Sequence, residues 1–429
     1  MKIIIGSLFV LQSLCSGLYS SSTDDIQSKI REELDALPAN TEIGILVYNP
    51  LTEDTIISVN HTRSMIPASN TKLFTTAVAL KIMGGEYMLS TKILADRSSI
   101  RDSVLDGNIY IKGFGNSTFT SEDLDSLVTE LKKTGLREIK GNVVGDDSFF
   151  DNVYTRDDWI RDEDANVKLP PISALVVDRN TMHVRRKHRG RWRTYRIYVE
   201  NPPQHIANLF KSKLVTGGIK VSGNSVSGQT PENASLLFES TIKLNDLIKQ
   251  INKNSDNFEA EGLFKTIGAI ASVEQGNSFY ATQTILSFID DNGIYSNGTS
   301  IVDGSGISRN DQITVGAIVG LLEVMYFDLK HFPAFYNSLS IAGIDGTLED
   351  RFNNTNGKIN FRGKTGTLKG VSSLSGYLTT KAGDDLIISM IFEFENGRSK
   401  SYQDTQDRII KILNDWKEES PGDINIQGY

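Results

Sequence analysis

The chain carries the sequence Pro67-Ala68-Ser69-Asn70-Thr71-Lys72, which continues as an apolar run from Leu73 to Met83. Proline suits the first turn of a helix, and the apolar residues after it recur at helical spacing until Gly84-Gly85. We therefore predict a buried helix that begins at this motif. Ser69 and Lys72 are three residues apart, so their side chains project from one face of its first turn.

A hydroxyl beside a buried amine at a helix start is suited to nucleophilic attack. The lysine can lose its charge and accept the serine proton, and the free N–H groups of the first turn favour developing negative charge. The spacing alone is weak, because Ser240 and Lys243 share it. The apolar helix and two later motifs single out Ser69. The sequence predicts Ser69 as the nucleophile and Lys72 as its base.

The composition narrows the class of protein. The chain has 429 residues, enough for more than one domain, with 39% hydrophobic and 23% charged residues. The net charge of −8 argues against general nucleic-acid binding. The five histidines show no metal-ligand spacing. We therefore predict no metal, no cofactor and no nucleic-acid partner.

The N-terminus resembles a secretory signal. Lys2 is followed by an apolar run from Ile3 to Leu14 and by small residues around Cys15-Ser16-Gly17. The run is too short to span a bilayer comfortably. We predict a signal peptide over residues 1–20, a periplasmic or secreted protein, and no transmembrane segment in the mature chain. Cleavage removes the one cysteine, which leaves no disulfide framework.

The two ends of the remaining chain predict one antiparallel sheet. Glu42–Val47 and Thr55–Val59 form one hairpin by pattern, and Ser372–Leu378 and Leu386–Phe394 form another. A closing helix over Ser399–Trp416 would cover the sheet. Strands and covering helices of this kind predict an α+β fold, with the middle of the chain as a large inserted α/β module.

Within the insertion, which begins near Thr91, the pattern predicts helices at Ser121–Thr134 and Ile206–Leu214. It predicts extended segments at Ile139–Val144 and Ile219–Val226.

Met182–Val199 mixes arginines and a lysine with aromatic residues around a turn at His188-Arg189-Gly190. Such a mixture can hold a polyanion. The acidic charge of the whole chain favours the simpler interpretation of a solvated hairpin.

Two further motifs follow the Ser69 helix. Ser255-Asp256-Asn257 opens another apolar helix, and Lys364-Thr365-Gly366 lies in the extended run Ile359–Leu368. Each has a chance match elsewhere, such as Ser58–Asn60 for the first and Lys133-Thr134-Gly135 for the second. The three motifs in this order and on these elements are the set found in class A β-lactamases and penicillin-binding proteins.

Each motif residue has a chemical task. Ser255 can relay a proton to a leaving amine, and Asn257 can hold a substrate backbone amide. Lys364 and Thr365 can bind a terminal carboxylate, while the strand edge pairs with an extended peptide. The backbone N–H groups of the nucleophile and of Thr367 would form an oxyanion hole, worth about 3 kcal/mol per donor.

With these motifs the chain resembles the D-alanyl-D-alanine carboxypeptidase/endopeptidase family, the class C low-molecular-mass penicillin-binding proteins, over residues 40–417. That family carries an insertion between its first two motifs, and here 182 residues, 73–254, lie between them. The resemblance implies a serine β-lactamase/D,D-peptidase-like domain over residues 21–92 and 236–417. It also implies an inserted accessory domain or domains over 93–235 and a loose tail over 418–429.

The resemblance implies a serine peptidase that cleaves D-Ala-D-Ala or cross-linking bonds of peptidoglycan stem peptides through an acyl-enzyme, with β-lactams as covalent inhibitors. In the family the insertion supplies an acidic and an aromatic residue to a side-chain pocket, and Asp146 and Phe150 resemble them. Arg309 would bind a carboxylate there. The insertion is short for the family, because Val176–Pro202 replaces a larger module, and Lys369 stands where a neutral polar residue is expected.

Two other functions fit the same motifs. One is a β-lactamase or esterase on the same fold, which needs a carboxylate dedicated to deacylation. The other is a catalytically silent protein that binds the cell wall. The intact Ser69, Lys72, Ser255 and Lys364 favour the peptidase over the silent protein.

Overall fold

The computed structural model describes residues 21–96, 100–159, 169–352 and 358–417; the predicted signal peptide and tail lie outside these ranges. The α-helices of the described part are α1 Ser21–Asp35, α2 Thr71–Met83, α3 Ser121–Lys133, α4 Pro202–Thr216, α5 Leu244–Asn254, α6 Asn257–Ser272, α7 Ser278–Asp291, α8 Val315–Tyr326, α9 Phe332–Ser338 and α10 Ser399–Asn414. Over the described ranges, no helix combines the length and apolar character needed to cross a membrane.

The strands of the described part belong to four sheets. They are β1 Glu42–Asn49, β2 Asp54–Val59, β3 Met88–Ala95, β4 Ile100–Arg101, β5 Val104–Leu105, β6 Ile109–Phe114, β7 Glu138–Ile139, β8 Val143–Asp146, β9 Thr181–His188, β10 Arg191–Tyr198, β11 Lys220–Val221, β12 Ser225–Ser227, β13 Ser235–Lys243, β14 Ser340–Ile341, β15 Asn360–Leu368, β16 Val371–Thr379 and β17 Asp385–Glu393.

The main sheet has the strand order β14-β15-β16-β17-β1-β2, and every neighbouring pair is antiparallel. The two ends of the chain therefore meet in its centre, where Ile45 of β1 lies opposite Met390 of β17. The predicted hairpins and closing helix are confirmed. The chain is thus an α+β protein in which helices cover one antiparallel sheet, as the sequence predicted.

The main sheet is buried on both faces, which explains why β17 reads as a continuous apolar run. Ile387 and Ile391 of β17 pack into a core with α2 and α8. Ile388 and Met390, on the opposite face of the strand, pack into a second core with α1 and α10. Side chains alternate between the two faces of a strand, so one strand contributes to both cores.

The insertion contains a sheet of order β12-β8-β6-β3-β13 and a smaller one of order β11-β7-β5-β4. The predictions of one strand over Ile139–Val144 and of one extended segment over Ile219–Val226 are wrong. Each segment divides into two short strands that belong to different sheets.

Glycine explains this division. A Cβ on Gly141 would lie 2.3 Å from the carbonyl oxygen of Gly107, and a Cβ on Gly223 would lie 2.2 Å from that of Gly141. The three backbones touch where the chain passes from one sheet to the other, and only glycine permits that approach.

The predicted domain boundaries fall on two paired strands. Residues 92 and 93 lie within β3, and residues 235 and 236 begin β13. The two strands are antiparallel neighbours, with Lys92 opposite Glu239. The chain thus enters and leaves the insertion through adjacent strands, and the division into two domains stays a prediction.

Arg351 anchors the loop between β14 and β15 to α10. Its Nε donates to Asp407 Oδ1 at 2.9 Å, and its Nη2 donates to the carbonyl oxygen of Gln403 at 3.0 Å and to Gln406 Oε1 at 3.2 Å. Arg351 and Asp407 are 6% and 7% exposed, so they are shielded from water. The same loop carries Thr347, which contacts the third motif.

We predict that Arg351→Leu lowers the free energy of unfolding by about 3–5 kcal/mol, because it leaves the Asp407 carboxylate buried without its partner. Chemical denaturation measures this. The matched control is Arg398→Leu, since Arg398 is exposed just before α10; its effect should stay within about 0.5 kcal/mol. Equal losses in the two variants would contradict the anchoring role.

Candidate active site

Ser69 lies in a 310 turn over Ala68–Asn70 that leads directly into α2, so the α-helix itself begins two residues later than Ser69. Ala68 has a φ of +50°, which is uncommon for a residue with a side chain. Asn70 Nδ2 donates to Ser375 Oγ at 2.9 Å, and Ser373 Oγ donates to the carbonyl oxygen of Pro67 at 2.7 Å. Strand β16 therefore holds the turn in its strained conformation.

Helix α2 is buried on all sides from Thr71 to Leu80, which places the Lys72 amine away from water. Lys72 Nζ donates to Ser69 Oγ at 3.0 Å, to Asn257 Oδ1 at 2.6 Å and to the carbonyl oxygen of Ser305 at 2.6 Å. These three acceptors account for all three protons of an ammonium group. The first motif and the last residue of the second motif thus meet at one nitrogen.

Burial lowers the pKa of Lys72 to about 8, although the carboxylates of Asp303, Glu261, Asp256 and Asp311 act in the opposite direction. Removing an ammonium group from water disfavours its charged form. The pKa places Lys72 within reach of its neutral form near neutral pH, as a general base requires.

The loop that presents the Ser305 carbonyl is fixed by buried carboxylates. Asp303 Oδ1 accepts from the backbone N–H of Ser305 at 3.0 Å and of Gly306 at 2.6 Å. Glu261 Oε1, on α6, accepts from the N–H of Gly304 at 3.0 Å. The resemblance to the family singles out the run Asp303–Arg309 as one of its loops, but the sequence analysis assigned no contact with Lys72 to it. By pattern alone, Asp303-Gly304-Ser305-Gly306 is only a glycine-rich turn.

Ser255-Asp256-Asn257 links α5 to α6, with Ser255 in the left-handed conformation at a φ of +54°. Lys364 Nζ donates to Ser255 Oγ at 2.8 Å, and also to the carbonyl oxygen of Thr365 at 2.8 Å. Burial lowers the pKa of Lys364 well below its usual range, and the nearby Lys72 lowers it further. The three motifs therefore converge on one site, with a hydroxyl beside each lysine.

The insertion reaches the second motif through Arg179, which the sequence analysis also missed. Its Nη1 and Nη2 donate to the two carboxylate oxygens of Asp256 at 2.7 Å each, and its guanidinium lies 4.8 Å from the ring centre of Phe258. Burial alone would raise the pKa of Asp256, but the Arg179 hydrogen bonds and the Glu259 N–H hold it below its usual range. No local pattern marks Arg179, because the contact spans 77 residues.

The third motif lies along an open strand edge. Strand β14 pairs with β15 only at Arg362 and Gly363, so from Lys364 onward this edge has no strand partner among the described residues. Thr365 Oγ1 donates to Thr347 Oγ1 at 2.8 Å, and Thr367 is exposed. An extended peptide can add to such an edge.

Gly366 lets this edge approach the nucleophile. A Cβ at this position would lie 2.2 Å from Ser373 Oγ, 2.9 Å from the Pro67 carbonyl oxygen and 3.0 Å from the backbone nitrogen of Ser69. The β15 edge and the Ser69 turn are therefore in direct backbone contact.

The chance matches lie elsewhere. Ser240 lies on β13, and Lys243 at the end of that strand pairs with Glu86 at 2.7 Å. Thr134 ends α3, and Gly135 follows it with a φ of +85°. Neither pair has the environment of the three motifs.

Asp146 and Phe150, the residues predicted to line the pocket for the substrate side chain, make no described contact with Lys72 or Lys364. Asp146 is fully buried, with Oδ1 accepting from the Ser148 N–H at 2.9 Å and Oδ2 3.1 Å from Lys112 Nζ. Phe150 is 2% exposed, and its ring lies tilted by 31° against that of Phe149, with the ring centres 5.5 Å apart. Burial opposes ionisation of Asp146, but hydrogen bonds from Ser148 and Thr230 hold its pKa below the usual range.

Arg309 lies near the end of the third motif, where its Nη2 donates to the carbonyl oxygen of Lys369. The substrate roles of Asp146, Phe150 and Arg309 stay predictions.

The fold and the three converging motifs define a serine hydrolase of the penicillin-binding type. The chain matches the model of the D-Ala-D-Ala carboxypeptidase 3 (S13) family over residues 26–194 and 187–414, and it belongs to that family. It is similar to a D-alanyl-D-alanine carboxypeptidase of Actinomadura sp. (strain R39), with 26% identity over 87% of this chain and 82% of the relative. It is also similar to D-alanyl-D-alanine carboxypeptidase DacB of Haemophilus influenzae, with 26% identity over 85% of this chain and 87% of the relative.

The solved structure of penicillin binding protein 4 (dacB) from Haemophilus influenzae has the same fold. It superimposes with a TM-score of 0.77 at 22% identity, covering 90% of this chain and 99% of that one. A second structure of that protein, complexed with a β-lactam, has a TM-score of 0.76 at 21% identity over the same shares of the two chains.

We predict that Gly366→Ala lowers the rate of Ser69 acylation by a β-lactam about a hundredfold, because the added methyl group pushes β15 away from the Ser69 turn. Stopped-flow measurement with a chromogenic cephalosporin gives the rate. Gly262→Ala on α6 is the matched control, since its Cβ would meet nothing closer than 3.6 Å. An acylation rate of Gly366→Ala equal to that of the parent would show that this close approach is not needed.

Proposed function

We propose that this protein is an exported serine D,D-peptidase that attacks peptidoglycan stem peptides with Ser69 and forms an acyl-enzyme. The observation that carries the proposal is the contact of 3.0 Å between Lys72 Nζ and Ser69 Oγ inside a buried network. Family membership and the similarity to D-alanyl-D-alanine carboxypeptidases support the release of a terminal D-Ala.

The acceptors around Lys72 direct its lone pair. Two of its three partners, Asn257 Oδ1 and the Ser305 carbonyl, can only accept hydrogen bonds and lie at 2.6 Å. When Lys72 loses a proton, its two remaining N–H groups keep these partners, and the lone pair points to Ser69 Oγ. The Ser69 hydroxyl is the partner that can donate, so its proton moves to Lys72 as Oγ attacks.

The attack places negative charge on the carbonyl oxygen of the scissile bond. We propose that the backbone N–H groups of Ser69 and Thr367 receive it, each contributing about 3 kcal/mol of transition-state stabilisation. The contact between Gly366 and the Ser69 turn supports this pairing of donors. The substrate backbone would lie along the open edge of β15 and hydrogen-bond to Asn257.

Collapse of the intermediate breaks the C–N bond, and the leaving amine takes the Ser255 proton, which the Lys364 ammonium replaces. Burial lowers the pKa of Lys364, which suits a group that gives up a proton in this relay. Lys364 and Ser255 are hydrogen-bonded at 2.8 Å, so the proton can pass between them. An incoming carboxylate favours the protonated form of Lys364, so a terminal D-Ala carboxylate would restore its charge. Water then attacks the ester carbonyl and gives its proton through Ser255 to Lys364, while Lys72 returns its proton to Ser69 Oγ as the ester C–O bond breaks. Attack on a cross-linking bond would follow the same steps as endopeptidase activity.

The remaining sequence predictions enter this proposal unchanged. Asp146, Phe150 and Arg309 would contact the stem-peptide side chain. Residues 21–92 and 236–417 would form the peptidase domain, and the mature protein would act in the periplasm or outside the cell. β-Lactams would acylate Ser69, in keeping with the β-lactam complex of the related penicillin binding protein 4.

We predict that Ser69→Ala abolishes labelling by a fluorescent penicillin and lowers release of D-Ala from a short peptide about a thousandfold or more. Gel fluorescence and product analysis measure the two effects. Ser240→Ala is the matched control and should retain both. If Ser69→Ala were still labelled by the penicillin and Ser240→Ala were not, the assignment of Ser69 as the nucleophile would be wrong. A penicillin adduct that hydrolyses within a fraction of a second would instead indicate a β-lactamase.

We predict that the acylation rate rises about tenfold per pH unit below the pKa of Lys72 and levels off above about pH 8. The sign follows because only the neutral amine accepts the Ser69 proton, and the neutral fraction grows with pH. The second-order rate constant for a chromogenic cephalosporin between about pH 6 and 9 tests this. A rate that does not change over this range would exclude Lys72 as the base.

A further inference from the structure

The hairpin of β9 and β10 forms a ribbon of its own. The two strands pair only with each other among the described strands, and each is eight residues long, so the ribbon extends about 26 Å. It joins the body at Asn180 and Val199, where the Val199 N–H donates to the Asn180 carbonyl oxygen at 2.9 Å. The two stretches matched by the family model, 26–194 and 187–414, overlap within the ribbon.

The ribbon concentrates positive charge in an acidic protein. The whole chain has 45 Lys and Arg against 53 Asp and Glu, yet residues 181–198 hold seven of the former and none of the latter. All seven side chains are exposed, and none forms an ion pair among the described residues. They are Arg185, Arg186, Lys187, Arg189, Arg191, Arg193 and Arg196.

The strand register distributes these cations over both faces, because opposite residues share a face and successive residues alternate. What we call the Trp192 face carries three cations beside the indole, and the Tyr195 face carries three beside the phenol. The Trp192 face holds Arg185, Lys187 and Arg196, and the Tyr195 face holds Arg186, Arg191 and Arg193. Arg189 lies at the tip. Trp192 is 61% exposed, and the Arg185 guanidinium lies 5.6 Å from its ring centre.

This arrangement opposes the stability of the ribbon. Arg186 lies directly opposite Arg193, and like charges in that position repel. The two-residue turn requires positive φ at both residues, and the first of them is Arg189 at +47°, where asparagine or glycine is favoured. An isolated hairpin is marginal in water even without such costs. A solvated connection needs none of these features, whereas a surface that binds a polyanion needs the charge.

We propose that this ribbon is a second binding site for the peptidoglycan polymer, outside the Ser69 site, and that it holds the network through its carboxylates and sugar rings. This inference rests on the proposed function, which makes that polymer the substrate. Arginines pair with carboxylates in bidentate geometry, and exposed aromatic rings cover the flat apolar faces of sugars. Repeated weak contacts to one polymer combine into lasting attachment.

The distribution of charge favours a polymer over a bilayer. A flat membrane can touch one face of a ribbon, whereas strands of a network can contact both faces and the tip. The turn residues Lys187-His188-Arg189-Gly190-Arg191 are all polar or glycine, so the tip has no apolar side chain to enter a bilayer. The acidic remainder of the chain would repel a densely charged nucleic acid.

Hydrolysis at the Ser69 site would leave this attachment intact. Removing D-Ala breaks one C–N bond, water supplies the hydroxyl of the new carboxylate, and the released D-Ala carries the old carboxylate away. Each stem peptide therefore ends in one carboxylate before and after the reaction. The ribbon would keep the enzyme on the polymer while the active site acts on successive stems.

The test is co-sedimentation with purified insoluble peptidoglycan, carried out in the Ser69→Ala background so that the polymer stays intact. Two variants each replace three cations with Gln, one on the Trp192 face and one on the Tyr195 face. The matched control replaces three exposed lysines elsewhere, Lys132, Lys249 and Lys330. We expect each ribbon variant to bind about tenfold more weakly and the control to bind as the parent does. Salt should weaken parental binding, and blocking the polymer carboxylates as amides should abolish it.

Peptidoglycan binding by both ribbon variants at the parental level, or binding that ignores salt and carboxylate amidation, would overturn the inference. So would binding to phosphatidylglycerol vesicles or single-stranded DNA without binding to peptidoglycan. Hydrolysis of a soluble peptide, measured with Ser69 intact, separates this inference from the proposed function. We expect both ribbon variants to keep wild-type kcat/KM on that peptide and to lose about tenfold on the insoluble polymer. If the wild-type enzyme does not hydrolyse the peptide, but its binding to the polymer still depends on the ribbon, the proposed function is wrong and this inference stands.

Discussion

The site depends on the burial of one amine. Lys72 is fully removed from water, and the three acceptors that surround it come from three separate segments: the Ser69 turn, the start of α6 and the loop at Ser305. Water would keep the amine protonated near its usual pKa, whereas burial lowers that pKa to about 8. Each of the three segments must therefore be placed to within hydrogen-bonding distance of the amine.

The surrounding structure supplies this precision. Strand β16 holds the Ser69 turn, buried carboxylates hold the Ser305 loop, and Arg179 holds the turn that carries Asn257. The carboxylates also limit the loss of basicity, because their charges act against desolvation of the amine. A buried amine without these carboxylates would be a weaker base, and an amine more exposed to water would stay charged.

One part of the insertion contacts the candidate site, and another part extends away from it. Arg179 connects the insertion to the second motif, and a few residues later the chain leaves the body as the β9–β10 ribbon. One part of the insertion thus supports the candidate site by fixing Asp256. The other part carries charge that the fold does not use. This contrast is the physical reason to look for a role of the ribbon outside the active site.

The sequence by itself determined most elements of the main sheet and the motif residues of the candidate site. Apolar periodicity located α2, the two hairpins of the main sheet and α10, and the motifs at Ser69, Ser255 and Lys364 identified the side chains that the structure brings together. These signals are local, since each lies within one helix, strand or turn.

Only the tertiary structure decided which groups meet. The Ser305 carbonyl that accepts from Lys72 lies 233 residues further along the chain. The contact between Arg179 and Asp256 spans 77 residues, and Gly366 contacts a turn almost 300 residues before it. The split of Ile139–Val144 between two sheets was equally hidden, because backbone contact among Gly107, Gly141 and Gly223 causes it. Local patterns record the propensity of a segment, whereas contacts between distant segments arise from packing, which no short stretch of sequence contains.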